Sequence, residues 1–68
     1  MATGVVKWFN AEKGYGFIAP DEGGKDVFVH ISAVKAAGLA ELKDNQKVAY
    51  ELQTGRDGRH MAGELEIL

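Results

Sequence analysis

The stretch Lys13-Gly14-Tyr15-Gly16-Phe17-Ile18, followed after a turn by Val27-Phe28-Val29-His30-Ile31, decides how this chain folds. Successive side chains of a β-strand point to opposite faces of a sheet. If the aliphatic residues face a core, the aromatic residues and the histidine face outward. The predicted inward set is Ile18, Val27, Val29 and Ile31, and the outward set is Tyr15, Phe17, Phe28 and His30.

The outward set belongs to an unusually dense group of rings. Five of the six aromatic residues of the chain lie between Trp8 and His30, and Lys7 and Lys13 stand among them. Aromatic rings on the outer face of a sheet, accompanied by lysines, are typical of proteins that bind single-stranded nucleic acid. The alternative is that the rings are core, which is the usual place of Phe and Trp. A small barrel has only one interior, so the alternation favours the surface for Tyr15, Phe17 and Phe28.

The overall charge opposes this interpretation. Eight Lys and Arg residues are outweighed by ten Asp and Glu residues, which gives a net charge of −2. Most nucleic-acid-binding domains are basic. Binding would therefore depend on stacking and on a few local cations. A peptide-binding module with an aromatic groove, in the manner of SH3-like domains, is the alternative that net acidity favours.

Length and composition exclude several classes of protein. A chain of 68 residues has room for one domain, so residues 1–68 are predicted to form a single domain. The chain has no cysteine, and it shows neither a signal-peptide pattern nor an apolar run long enough to span a membrane. The expectation is a small cytoplasmic monomer with no metal, cofactor, small-molecule substrate or membrane partner.

Five strands and one short helical turn are predicted. The strands cover 5–9, 15–19, 26–31, 47–54 and 60–68. Pro20 ends the second strand, and Gly55-Arg56-Asp57-Gly58 predicts a hairpin turn. Ser32 is predicted to cap a helical turn over 34–37, which Gly38 ends.

The two later strands are assigned by the same alternation. The predicted inward residues are Val48, Tyr50, Leu52, Met61, Leu65 and Ile67, with Leu39 and Leu42 as apolar anchors of the connecting loop. Because no long helix is available to cover a flat sheet, the prediction is all-β: a small five-stranded antiparallel barrel of the oligonucleotide-binding (OB-fold) type.

Three segments in this order resemble the bacterial cold-shock proteins over nearly the whole chain. They are Gly4-Val5-Val6-Lys7-Trp8-Phe9-Asn10, Lys13-Gly14-Tyr15-Gly16-Phe17-Ile18 and Asp26-Val27-Phe28-Val29-His30. The resemblance implies an OB-fold barrel that binds single-stranded RNA or DNA with little sequence preference and acts as an ATP-independent RNA chaperone.

The resemblance also implies which residues bind. Trp8, Tyr15, Phe17, Phe28 and His30 would stack on bases, and Lys7 and Lys13 would meet phosphates. Asn10 and Asp26 would hydrogen-bond base edges or fix the neighbouring loops. Phe9 adjoins the site, although a bulge or a strong twist at the edge is needed to present both Trp8 and Phe9. Apart from the resemblance, Arg56, Arg59 and His60 of the last hairpin complete the predicted set. Arg56, Arg59 and Lys25 would be further phosphate contacts, and Arg59 or His60 could add stacking or a cation–π contact.

Five positions depart from the family pattern. Ile31 and Leu39 stand where aromatic residues are common, Arg59-His60 replaces Gly-Pro, and Glu64 replaces Asn. These departures affect the outer stacking positions and leave the central ones unchanged.

Two further patterns in the sequence do not indicate an enzyme. Asp26, His30 and Ser32 would lie in a row about 7 Å apart per step on one strand, too far apart for a triad. Gly14 and Gly16 do not form a phosphate-binding loop, because the second glycine lies inside a strand and no helix follows. The chain is therefore predicted not to be an enzyme.

Overall fold

Five strands and one short helix make up the chain in the computed structural model, which describes residues 2–55 and 58–68. The strands are β1 (Ala2–Asn10), β2 (Tyr15–Pro20), β3 (Val27–His30), β4 (Lys47–Thr54) and β5 (His60–Ile67), and α1 (Ile31–Ala36) lies between β3 and β4. Within the described ranges no helix is long and apolar enough to cross a membrane.

The strands close into a barrel in the order β1-β2-β3-β5-β4. β1, β2 and β3 form the predicted antiparallel meander, and β4 pairs with both β1 and β5 in antiparallel fashion. The all-β OB-fold prediction is confirmed. One pairing differs from a wholly antiparallel barrel: β3 meets β5 in parallel, through Phe28 opposite Met61. The long connection through α1 brings the chain back so that β5 runs in the same direction as β3.

The core is aliphatic with one tyrosine at its centre. The fully buried large side chains are Tyr50, Ile18, Val6, Val29, Val34 and Val48. Burial raises the pKa of the Tyr50 phenol, and the carboxylates of Asp21 and Glu22 raise it further. The prediction that Tyr50 belongs to the core is confirmed, as are the inward positions of Ile18, Val27 and Val29.

The β4–β5 pair is where simple alternation is wrong. The register shifts between Tyr50 and Leu52, and the extra residue lies on β5, where Leu65 and Ala62 are their partners. Leu52 itself, two residues beyond the buried Tyr50 on β4, is 48% exposed rather than inward. On β5 the same irregularity buries Ala62 in place of Met61, which is only partly buried. Ile67, also predicted inward, is exposed at the end of its strand, and the small Ala49, predicted outward, is buried.

The region around α1 also differs from the prediction. β3 ends at His30, so the half-buried Ile31 begins the helix instead of ending the strand. The N-cap is His30 rather than Ser32. Gly38 follows the helix with φ +83°, which agrees with its predicted role as a stop. Leu42 is buried and Leu39 packs against the core, as predicted for loop anchors.

Candidate nucleic-acid interface

Five rings lie together on the outer face of β1, β2 and β3. We define the aromatic platform as Trp8, Tyr15, Phe17, Phe28 and His30. Cross-strand register explains why they meet, because Phe17 lies opposite both Trp8 on β1 and Phe28 on β3, and Tyr15 lies opposite His30. Such directly opposed residues lie close enough for their side chains to touch.

The ring distances show that the platform is continuous. The Trp8 centroid lies 5.5 Å from those of both Tyr15 and Phe17. Tyr15 and Phe28 stack at 5.6 Å with an interplanar angle of 21°, and Phe17 meets Phe28 edge-on at 5.9 Å. The His30 ring extends the row, 6.3 Å from Phe28. Ring contacts of this kind hold the platform in one arrangement before any ligand binds.

A bulge in β1 presents Trp8 to the outside. The pairing of Val6 with Ile18 is followed by that of Trp8 with Phe17, so Lys7 is the extra residue. Trp8 is 39% exposed, whereas Phe9 is partly buried and packs against the core. A bulge is therefore present, but it turns only Trp8 outward, and Phe9 faces the core instead of joining Trp8 on the outer face. Phe9 lies beside the platform, and its contact with nucleic acid stays a prediction.

Gly16 allows β1 and β2 to approach each other beneath the platform. A Cβ atom at this position would lie 2.8 Å from the Cα of Phe9 and would also collide with the carbonyl oxygen of Trp8. A side chain here would push β1 away and move Trp8 with it. Close backbone packing, rather than phosphate binding, accounts for this glycine.

The Asn10 side chain shapes the turn between β1 and β2. Its Oδ1 atom accepts hydrogen bonds from the backbone N–H groups of Glu12 at 2.9 Å and Lys13 at 3.0 Å. Of the two roles foreseen for Asn10, fixing the neighbouring loop is the one present in the structure. Lys13 is exposed at this turn, next to Gly14, whose φ of +83° reverses the chain.

Asp26 makes an ion pair at the edge of the platform. The ammonium of Lys7 donates to its Oδ2 atom at 3.1 Å, and the two side chains are 53% and 38% exposed. This contact joins the β1 bulge to the residue before β3. It also lowers the positive charge available to a phosphate at this edge.

A groove of about 500 Å³ continues the platform toward the last hairpin. Its lining includes the rings of Phe17 and Phe28, the cations Lys25 and Arg59, the His60 ring and the carboxylate of Asp26. The structure thus brings Arg59 and His60 next to the central rings, and their contact with nucleic acid stays a prediction. Lys25, in the turn preceding β3, is a further candidate for a phosphate contact in this groove. Arg56 lies outside the described residues.

His30 and Ser32 are in contact, contrary to the spacing expected of one extended strand. The His30 Nδ1 atom lies 2.9 Å from the Ser32 Oγ atom, because α1 begins at Ile31 and turns the chain. Asp26 instead pairs with Lys7. In the described part of the chain, no three His, Asp or Glu side chains are grouped so that they could hold a metal ion.

Comparison with known proteins agrees with this geometry. Residues 2–66 match the family model described as the 'Cold-shock' DNA-binding domain. A probable cold shock protein of Sinorhizobium fredii is 64% identical over 64 residues, which cover 94% of this chain and 93% of the relative.

Two other relatives are similar over comparable lengths. The major cold shock protein of Micrococcus luteus is 56% identical over 62 residues, covering 91% of this chain and 92% of its own. A cold shock-like protein of Bordetella pertussis is 53% identical over 68 residues, the full length of both chains. The chain therefore belongs to the cold-shock domain family of nucleic-acid-binding proteins.

Proposed function

We propose that this protein binds single-stranded RNA and DNA through the aromatic platform, with little sequence preference. The observation that carries the proposal is the contiguous set of rings, each within 5.5–6.3 Å of a neighbour, on the outside of the barrel. Stacking of a base on such a ring is worth ~1–3 kcal/mol and is available to every base, because each has a π face.

The same physics supports an RNA chaperone that acts without ATP. Bases within a duplex already stack on one another, so the platform gains contacts only with unpaired bases. Binding then shifts nucleic acid toward the unpaired state by mass action. Such an activity suits a cytoplasmic protein that acts in cold adaptation, because RNA secondary structure is more stable at low temperature. The names of the three relatives support this cold-shock role.

The electrostatic contribution should be modest. The cations beside the platform are Lys7, Lys13, Lys25 and Arg59, and Asp26 opposes the first of them. With about two to four phosphate contacts, log K should change with log salt with a slope of about −1.5 to −3, at roughly −0.7 per phosphate. We propose a monomer of one domain that acts by binding, without catalysis.

The test is a titration in which binding is monitored through Trp8 fluorescence, because the indole is part of the platform. An unpaired pyrimidine-rich strand is expected to bind, and the same sequence closed in a hairpin stem is expected to bind far more weakly. Equal affinity for the two forms would overturn the single-strand proposal. Preferential binding of a basic, proline-rich peptide would instead favour the peptide-binding alternative that the net charge of −2 suggests.

A further inference from the structure

His30 has two partners in the structure besides its place in the platform. Its Nδ1 atom accepts a hydrogen bond from the Ser32 backbone N–H at 3.1 Å, and the Ser32 Oγ atom lies 2.9 Å from the same nitrogen. This makes His30 the N-cap of α1, with the extended backbone (φ −93°, ψ 150°) usual for a cap.

These contacts determine where the imidazole carries its hydrogen. A backbone N–H can only donate, so Nδ1 must offer its lone pair. A neutral imidazole has one N–H and one acceptor nitrogen, which places the hydrogen on Nε2. The Ser32 hydroxyl can rotate to suit either arrangement, so the backbone amide decides. α1 is not itself a ligand site; its first turn only determines which nitrogen of the His30 ring carries the hydrogen.

We infer that the cap commits His30 to the Nε2–H tautomer, so that this exposed platform residue offers a bound strand a hydrogen-bond donor and no acceptor. The inference rests on the proposed single-strand binding. The group that it selects on the ligand is a hydrogen-bond acceptor, which in a pyrimidine strand is a base carbonyl, the N3 atom of cytosine or a phosphate oxygen. Ser32 acts as a positioning residue, through its backbone amide.

The tautomer can be tested without any ligand. In the ¹⁵N-labelled protein in mildly alkaline buffer, a coupling across the hydrogen bond should connect the Ser32 amide nitrogen with His30 Nδ1, and the imidazole hydrogen should be found on Nε2. Ser32→Ala keeps the amide and loses the hydroxyl, so both signals should persist. A hydrogen on Nδ1, or no coupling in either protein, overturns the inference.

The donor is tested with six-nucleotide oligouridine and oligocytidine, since uracil has a carbonyl where cytosine has an amino group. His30→Phe keeps an aromatic face but has no N–H. If the partner is that carbonyl, oligouridine binding should fall about three- to tenfold more than oligocytidine binding. An equal fall assigns the acceptor to a phosphate, to the carbonyl that both bases share, or to cytosine N3 in place of the uracil carbonyl. No fall with either strand overturns the donor role.

His30→Asn is the counterpart of His30→Phe, because it keeps a cap acceptor and an amide N–H donor but loses the ring. Asparagine is a good N-cap, so this variant should melt near the temperature of the original protein. It should bind both strands more weakly because the stack is lost, and it should retain the original ratio of oligouridine to oligocytidine affinity. A ratio that falls in His30→Asn as far as in His30→Phe would show that the donor does not set it, and would overturn the inference. If the original protein binds neither strand, the proposed function fails, and the tautomer is still decided by the coupling between Ser32 and His30.

Discussion

The ammonium of Lys7 lies 3.1 Å from the Oδ2 atom of Asp26, and this pair stands at the edge of the aromatic platform. Lys7 is the extra residue of the β1 bulge, and Asp26 immediately precedes β3. Exposed ion pairs of this kind are worth ~0–1 kcal/mol. A phosphate can therefore displace Asp26 from Lys7 at little cost, but the carboxylate that remains will repel it.

Asp26→Asn should strengthen the salt dependence of binding. Removal of the carboxylate frees Lys7 for a phosphate, so the slope of log K against log salt should become steeper by ~0.7, with tighter binding at low salt. The measurement is a titration of a short single strand at several salt concentrations. Lys47→Ala, which removes a lysine paired with Asp21 at 3.8 Å, is the control and should leave the slope unchanged. Weaker binding with an unaltered slope would mean that Asp26 contacts a base directly.

Loss of a platform ring should weaken binding and leave the fold intact. Phe17→Ala and Phe28→Ala are each expected to lower the affinity for a single strand at least about tenfold, since ~1.4 kcal/mol corresponds to that factor. Leu52→Ala removes an exposed side chain of β4 and should change the affinity little.

The matched core variant is Val29→Ala. Val29 lies between two platform residues on β3 and is fully buried. The substitution should lower the melting temperature, because it deletes buried methyl groups, while the remaining folded protein still binds. Thermal melts and fluorescence titrations on the same samples give both quantities. Unfolding of Phe28→Ala would show that this ring serves the core.

The aliphatic residues at two outer positions should limit affinity. Ile31 is half-buried at the start of α1 and Leu39 packs partly on the core, and neither has a π face. Each then loses part of a ~1–3 kcal/mol stack. Ile31→Phe combined with Leu39→Phe should tighten binding to a strand of six or seven pyrimidines by about ten- to a hundredfold. Ile67→Phe, at an exposed site on β5, is the control. If the double variant gains nothing, the two positions lie off the path of the ligand.

Alkaline conditions should destabilise the barrel through Tyr50. Its pKa in the folded protein is raised from the ordinary value of 10.0 by burial and then by Asp21 and Glu22. Below pH 10 the Tyr50 phenol is protonated in both the folded and the unfolded chain, so its full contribution to stability is present. Above it the unfolded chain ionises first, so stability falls as the pH rises toward the folded pKa. Denaturant melts between about pH 8 and 11 should show this fall.

Tyr50→Phe removes the ionisable hydroxyl and should flatten the alkaline part of that profile. Tyr15→Phe changes a tyrosine of the platform instead and should retain the fall. An unchanged profile in Tyr50→Phe would assign the alkaline loss to other groups.

Local alternation was sufficient to predict the platform and the core beneath it. Phe17 and Phe28 face outward and Ile18 and Val29 face inward, because the side-chain period of a strand is two whatever the rest of the chain does. A bulge or twist near Trp8 was also expected from the sequence, but the bulge that forms turns Trp8 outward and leaves Phe9 against the core, so the two do not share a side.

The pairing of strands in the closed barrel determined the features that alternation within one strand could not predict. Whether a strand gains an extra residue depends on how its partner is registered, so the burial of Ala62 on β5 arises only once β4 and β5 pair. The contacts of Lys7 with Asp26 and of His30 with Ser32 likewise depend on where β1 approaches β3 and where α1 begins. These are distances between segments, and a period within one segment carries no information about them.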